Sequence, residues 1–123
     1  MKVLIDSSGW IEFFTDGPLA DRYAVYLTPR YEIVTPTIVL YEVYKIIKRE
    51  RGEETALLHT ARLNGTHVIP LTSSIAYLAA DLSLHHGLAM ADAIVYATGK
   101  DQEAEVVTGD ADLKGLPGVV YVR

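Results

Sequence analysis

Short apolar segments alternate with longer amphipathic stretches along this chain, and this alternation restricts the fold more than any other feature. Five segments have the length and flanking turn residues of buried strands, namely 3–5, 32–34, 67–69, 105–107 and 119–121. Helical spacing of apolar residues predicts helices at 8–14, 19–28, 37–51, 53–63, 73–86 and 89–98. Strands separated by helices pair in parallel, so the pattern predicts an α/β three-layer fold. A length of 123 residues predicts one domain over residues 1–123.

The composition excludes several classes of protein. Without cysteine, the chain has no disulfides and no thiolate metal site, which suits a reducing cytoplasm. No apolar run approaches the roughly 18 residues that span a bilayer, so we expect no membrane association. A net charge of -5 argues against a domain whose main task is to grip nucleic acid. It does not argue against an enzyme whose acids surround a bound cation.

Two aspartates follow predicted strands directly. Asp6 ends the apolar run Val3-Leu4-Ile5, and Asp110 follows 105–107 after Thr108 and Gly109. Sites in open parallel sheets form at the carboxyl ends of the strands, so both carboxylates belong at one edge of the sheet. The alternative for Asp6 is a helix cap, because Asp and Ser accept hydrogen bonds from the free N–H groups of a first turn.

Two further acids lie in apolar surroundings. Glu42 lies within 38–44, and Asp92 lies within 88–95, where a carboxylate is costly unless it is paired or binds a metal. Glu42 has an alternative partner in Lys45, three positions along the helix. Asp92 has no Lys or Arg within four residues on either side.

These acids together predict a site for a hard divalent cation. Mg²⁺ and Mn²⁺ prefer oxygen ligands, and a bound ion removes the repulsion between clustered carboxylates. The candidate ligands are Asp6, Glu42, Asp92 and Asp110, with Asp112 as a possible fifth.

The four segments that carry these acids resemble the PIN-domain ribonucleases, and most closely the VapC toxins of type II toxin–antitoxin pairs. The segments are 3–14, 35–43, 88–98 and 107–113, and the resemblance covers nearly the whole chain. It implies a mainly parallel five-stranded sheet flanked by helices. It also implies an endoribonuclease that uses Mg²⁺ or Mn²⁺ to hydrolyse RNA phosphodiester bonds, leaving a 5′-phosphate and a 3′-hydroxyl.

The resemblance assigns roles to individual residues. Asp6, Glu42, Asp92 and Asp110 map onto the acidic metal and catalytic site. Supporting positions near that site are occupied by Ser7, Thr108 and Asp112. Leu113 departs from the pattern, because an aromatic residue is frequent there in the family, and we expect this departure to affect packing.

Binding partners follow from the same resemblance. It implies an RNA substrate, a homodimer and a VapB-like antitoxin that inserts a peptide near the active site. On an acidic protein, Lys45 and Arg49 are the candidates for contacting RNA, since they lie one and two turns from Glu42. The candidate surface for the antitoxin is Trp10, Phe13 and Phe14, for which the alternative is core packing.

Other functions fit the residues less well. An aspartyl-nucleophile phosphatase needs a second Asp two residues after Asp6, where this chain has Ser8. A Toprim site needs Glu in place of Asp6, and a dinucleotide-binding fold needs the G-x-G-x-x-G turn that is lacking here. The main alternative is a PIN-fold module that binds RNA or protein without cleaving.

Overall fold

A five-stranded, entirely parallel sheet organises the chain, and a computed structural model describes all 123 residues. The strands are β1 (Lys2–Ile5), β2 (Glu32–Pro36), β3 (His67–Ile69), β4 (Glu105–Thr108) and β5 (Val119–Tyr121). The helices are α1 (Ser7–Phe14), α2 (Ala20–Ala24), α3 (Thr37–Arg51), α4 (Glu53–Asn64), α5 (Ser73–His86) and α6 (Met90–Asp101), with a 3₁₀ turn at Ala111–Leu113. The predicted α/β class and five strands are confirmed, with a sheet that is all parallel.

The order of the strands in the sheet is β3-β2-β1-β4-β5. The chain moves outward from β1 to β3, then crosses back to pair β4 with the free side of β1. Right-handed crossovers therefore place α1–α4 on one face and α5–α6 on the other. The direction of winding reverses between β1 and β4, which is the position where open α/β sheets form their binding crevice.

The apolar runs that predicted the strands form the centre of the core. Val3, Leu4 and Ile5 on β1 are fully or almost fully buried, as are Val106 and Val107 on β4. The two strands pair in the register Leu4↔Val106 and Ile5↔Val107. Burial on both faces explains why these strands are continuously apolar.

Two helix ends differ from prediction by more than one residue. α2 covers only Ala20–Ala24 and not 19–28, because the following N–H groups bond three residues back in turns and the chain then reaches Pro29. α6 continues through Gly99 to Asp101, past the predicted end at 98. A Cβ on Gly99 would lie 2.6 Å from Val106 Cγ2, so glycine permits this helix to pack closely on β4.

The α1 helix corrects one predicted surface. Trp10 is 2% exposed and stacks on Phe14 with ring centroids 5.5 Å apart, so it belongs to the core and not to a partner surface. Phe13 and Phe14 are only partly buried and keep access to solvent. No helix in the structure combines the length and apolar character needed to cross a bilayer.

Candidate metal centre

The crevice between β1 and β4 is lined by the two aspartates that follow these strands. The Asp6 N–H donates to the carbonyl of Val107 at 3.2 Å, which continues the pairing of the strands one residue beyond β1. Asp110 lies two residues beyond the end of β4. The structure therefore brings Asp6 and Asp110 to the same edge of the sheet, as predicted.

Asp6 is the most tightly held of the acids. Its Oδ2 accepts from the Thr108 hydroxyl at 2.6 Å, and its Oδ1 accepts from the Ser8 hydroxyl at 2.6 Å and from the Gly9 N–H at 3.4 Å. The residue is 5% exposed, and burial raises its pKa, an effect that the three hydrogen bonds oppose. Asp6 is thus the N-cap of α1; it lies outside the convergent group of Asp92, Asp110 and Asp112, but its charge raises the pKa of Asp92 and of Glu42.

Ser8 supports this site although the sequence indicated only a helix start. Its Oγ accepts from the Gly109 N–H at 3.1 Å while it donates to Asp6, so one hydroxyl ties α1 to the loop after β4. Tyr23 lies beside Ser8, and burial together with the charge of Asp6 raises the pKa of Tyr23 to about 12, which keeps its hydroxyl protonated. The spacing of Ser8 and Asp6 suits capping equally well, so only the tertiary contacts reveal this role.

Three aspartates converge opposite Asp6. Carboxylate oxygens of Asp92, Asp110 and Asp112 all lie within 4.8 Å of one another. Asp110 also caps the 3₁₀ turn, because its Oδ1 accepts from the Asp112 N–H at 2.9 Å. That turn places Asp112 in the cluster, where the sequence had offered it both as a possible fifth ligand and as a supporting residue.

Repulsion within the cluster appears in the acid–base properties of Asp92. Burial, the neighbouring charges of Asp110, Asp112 and Asp6, and a hydrogen bond to Asp110 that only protonated Asp92 can donate raise its pKa to about 7. The other acids therefore disfavour a fourth negative charge at this point.

Glu42 borders the site from α3. Burial raises its pKa, a hydrogen bond from Ser7 lowers it, and the charges of Asp6 and Asp110 raise it again. Thr108 therefore donates to Asp6, and Ser7 lies beside Glu42. Glu42 lies outside the group of three aspartates but within their electrostatic influence.

No basic side chain neutralises these acids. The three ion pairs of the structure are Lys48–Glu53, Arg49–Glu50 and His67–Glu32, and all lie elsewhere. Lys45, the alternative partner for Glu42, instead donates to the Tyr41 hydroxyl at 3.2 Å. A set of oxygen ligands with excess negative charge fits a hard divalent cation such as Mg²⁺ or Mn²⁺.

A groove beside Glu42 contains the predicted RNA-contacting residues. Its lining residues are Tyr41, Glu42, Lys45, Ile46 and Arg49, and its volume is about 240 Å³. Lys45 and Arg49 are exposed on α3. Lys45 and Arg49, the side chains predicted to contact RNA, therefore line the same groove as Glu42.

The raised pKa of Asp92 predicts how stability changes with pH. Between its ordinary pKa of 3.8 and about 7, folded Asp92 retains a proton that the unfolded chain has released. The metal-free protein should therefore lose stability as the pH rises through this range, and the raised pKa values of Asp6 and Glu42 act in the same direction. We expect the melting temperature in EDTA to be lower at about pH 7.5 than at about pH 5.

Asp92→Asn should reduce this pH dependence, because asparagine cannot titrate. Asp101→Asn, at the exposed end of the same helix, is the matched control and should leave it unchanged. A melting temperature that rises across this range in wild type and in both variants would contradict the assignment.

A parallel sheet in the order 3-2-1-4-5 places this chain among the open α/β proteins whose sites lie at the carboxyl ends of the strands, where it carries a group of unpaired carboxylates. The model of the PIN domain family matches residues 3–119. This chain belongs to the PIN domain family, and the resemblance seen in the sequence is confirmed.

Similar solved structures include several toxin–antitoxin assemblies. A toxin–antitoxin complex from Klebsiella pneumoniae is 26% identical, with a TM-score of 0.81 over 96% of this chain and 95% of that chain. VapBC2 from Rickettsia felis, bound to a promoter DNA fragment, is 14% identical with a TM-score of 0.78, and each chain is covered completely. VapC20 from Mycobacterium tuberculosis, a Sarcin-Ricin loop cleaving toxin, is 20% identical with a TM-score of 0.75 over 95% and 98% of the two chains. Comparison with curated protein sequences gave no match.

Proposed function

We propose that this protein is the toxin of a type II toxin–antitoxin pair and acts as a metal-dependent endoribonuclease. The observation that carries the proposal is the cluster of Asp92, Asp110 and Asp112, whose carboxylate oxygens lie within 4.8 Å of one another with no cationic partner. Membership of the PIN domain family and likeness to a toxin–antitoxin complex at 26% identity support it.

The acids divide into ligands and supporting groups. Asp6, Asp92 and Asp110 would hold Mg²⁺ or Mn²⁺, with Glu42 completing the site and Asp112 at its exposed side. The bound ion would supply electrophilic stabilisation of the charge that develops on a scissile phosphate.

The remaining polar residues position these acids. Thr108 and Ser8 hold the two oxygens of Asp6 in one orientation, and Ser7 lies beside Glu42 and lowers its pKa. Groups that orient metal ligands matter for affinity and activity although they do not touch the ion. Lys45 and Arg49 would contact the phosphates of the RNA beside Glu42.

An antitoxin would complete the biological pair. The exposed parts of Phe13 and Phe14 adjoin α4, where His59 stacks on Phe14 with centroids 4.3 Å apart and Arg62 lies 5.1 Å from the centre of the Phe13 ring. We place the VapB-like antitoxin against this mixed aromatic and basic surface. If co-expression of the protein encoded next to this chain failed to restore growth, the antitoxin assignment would be wrong.

We also propose a homodimer that forms through α5 and α6. A largely apolar groove of about 340 Å³ between them includes Ala76, Ala80 and Met90, and Met90 is 75% exposed. An apolar patch that can face its own copy across a two-fold axis is the usual basis of a symmetric dimer. Sedimentation velocity should give a dimer for wild type and a monomer for Ala80→Glu, which adds a charge to the groove. Ala61→Glu, at another exposed alanine on α4, should remain dimeric.

Cleavage of RNA tests the main proposal. Antitoxin-free protein is incubated with a panel of structured RNAs, including a hairpin copy of the sarcin–ricin loop, in Mn²⁺, in Mg²⁺ and in EDTA. Metal-dependent cuts that leave 5′-phosphates are the expected result. Protein that binds RNA but cuts no member of the panel in either metal would favour the alternative of a binding module.

A further inference from the structure

The groove on α3 contains an exposed aromatic ring that the acidic site does not use. Tyr41 precedes Glu42 in the chain, lines the same groove and is 60% exposed. A large exposed aromatic at the edge of a charged groove has no packing role to explain it. Tyr41 is therefore available to a ligand that occupies the groove.

The only polar partner of the Tyr41 ring is a lysine. Lys45 Nζ lies 3.2 Å from the Tyr41 hydroxyl and 5.4 Å from the centre of the ring. The ammonium thus lies nearer the hydroxyl than the ring centre, and the exposure of the residue leaves ring surface open to solvent. Lys45 forms no ion pair with any acid, so its charge also remains available.

A second tyrosine–lysine pair on α3, Tyr44 and Lys48, differs from Tyr41 and Lys45 in its charge pairing and in its position relative to the groove. Lys48 lies 5.4 Å from the ring centre of Tyr44, an arrangement equivalent to that of Lys45 and Tyr41. Lys48, however, pairs with Glu53 at 3.6 Å, and neither Tyr44 nor Lys48 lines the groove. Only the Tyr41–Lys45 pair combines an open ring, an uncompensated cation and proximity to Glu42.

We propose that Tyr41 is a positioning residue that stacks on a base of single-stranded RNA next to the scissile phosphate, while Lys45 and Arg49 bind the flanking phosphates. The proposal rests on the endoribonuclease function proposed above and specifies how its substrate is held. Proteins that bind single strands combine a cationic groove with aromatic faces on which successive bases stack.

Charge favours RNA over a peptide as the occupant. The groove offers the unpaired Lys45, Arg49, which forms an exposed pair with Glu50 at 3.6 Å, and one acid, Glu42, so a polyanion complements its outer part chiefly through Lys45. Stacking accepts any base, which makes the contact independent of sequence, whereas Lys45 and Arg49 contribute a salt-sensitive electrostatic attraction.

Binding of a labelled oligonucleotide tests the role of the ring. The probe is a 5′-fluorescein 12-nucleotide single-stranded RNA, measured by anisotropy in Mg²⁺ on the Asp110→Asn background, which we expect not to cut it. Tyr41→Ala should weaken binding about 5- to 150-fold, the range for losing one stacked base. Tyr41→Phe should bind within about 2-fold of the parent, because the ring remains. Tyr77→Ala, a similarly exposed tyrosine on α5 outside the groove, should have no effect.

A spectroscopic signal separates stacking from a structural effect. In oligonucleotides that carry 2-aminopurine at successive positions, one position should be quenched by the parent and by Tyr41→Phe, but not by Tyr41→Ala. Lys45→Ala should reduce the slope of log affinity against log salt by about 0.7, whereas Lys48→Ala should leave the slope unchanged.

The results distinguish this proposal from the nuclease itself. Unchanged RNA binding and quenching in Tyr41→Ala would overturn the stacking role, whether or not wild type cuts RNA. If Tyr41→Phe were as impaired as Tyr41→Ala, the hydroxyl and not the ring face would be responsible, which also contradicts stacking. A wild type that never cuts, with RNA binding that still depends on Tyr41, would refute the nuclease and retain the stacking site.

Discussion

Asp110→Asn is expected to reduce metal-dependent RNA cleavage by more than about 100-fold. Removing a group that only orients a metal ligand typically costs about 10- to 100-fold, and loss of a ligand itself should cost more. Asparagine keeps the oxygen that accepts from the Asp112 N–H, so the 3₁₀ turn after β4 should persist. The substitution therefore removes one negative charge from the cluster with little change in shape. Single-turnover cleavage in Mn²⁺, together with Mn²⁺ titration by calorimetry, measures the loss of rate and the loss of affinity separately.

The matched control is Asp101→Asn, which removes an equal charge from the exposed end of α6. It should cleave at the wild-type rate, because Asp101 is not part of the acidic cluster. If Asp110→Asn cleaved as fast as this control, Asp110 would not be a ligand and the proposed centre would be wrong.

Gly9→Ala is expected to destabilise the fold by about 1–3 kcal/mol, a fall in melting temperature of roughly 5–15 °C. In an ordinary helix the same change would be favourable by up to about 1 kcal/mol, because alanine is the better helix former. Here a Cβ on Gly9 would lie 2.5 Å from the ring of Tyr23 and 2.7 Å from Ile5 Cγ2, and both neighbours are buried. Overlap with two buried groups outweighs the gain in helix propensity.

The same substitution should also disturb the acidic site. Tyr23 lies beside Ser8, which donates to Asp6, so a displaced ring changes the surroundings of that hydrogen bond. Gly65→Ala is the control, because at the exposed end of α4 a new Cβ approaches only the Arg62 carbonyl, at 3.2 Å. Thermal unfolding should show a shift for Gly9→Ala alone. Equal melting temperatures for the two variants would contradict this prediction, because they would show that the Tyr23 ring moves away from the new Cβ without loss of stability.

Much of this architecture could be predicted because its determinants are local. Buried parallel strands need continuous apolar runs, and those runs located all five strands within a few residues. The position of Asp6 and Asp110 followed from strand ends alone, since parallel strands deliver their carboxyl ends to one edge. Asp92 could be singled out because nothing nearby in the chain could pair with it.

Features that depend on tertiary contacts could not be predicted in this way. The role of Ser8 requires knowing that Gly109, 101 residues away, lies beside it. Trp10 was a candidate both for a partner surface and for the core, and only its burial shows that it belongs to the core. The convergence of Asp112 with Asp92 depends on the 3₁₀ turn, whose short helical hydrogen bonds leave no periodic signal in the sequence.

The order of strands in the sheet also has a consequence for biosynthesis. β1 is made first, yet it is the central strand, and its partner at the crevice, β4, begins only at Glu105. The hydrogen bond between Asp6 and Thr108 joins residues 102 positions apart, so a nascent chain cannot assemble the crevice until it is nearly complete. A ribosome that stalls or terminates before residue 110 releases a fragment that lacks the Asp110 and Asp112 carboxylates. If the proposed nuclease function holds, such a fragment lacks two of the three clustered carboxylates and should be inactive.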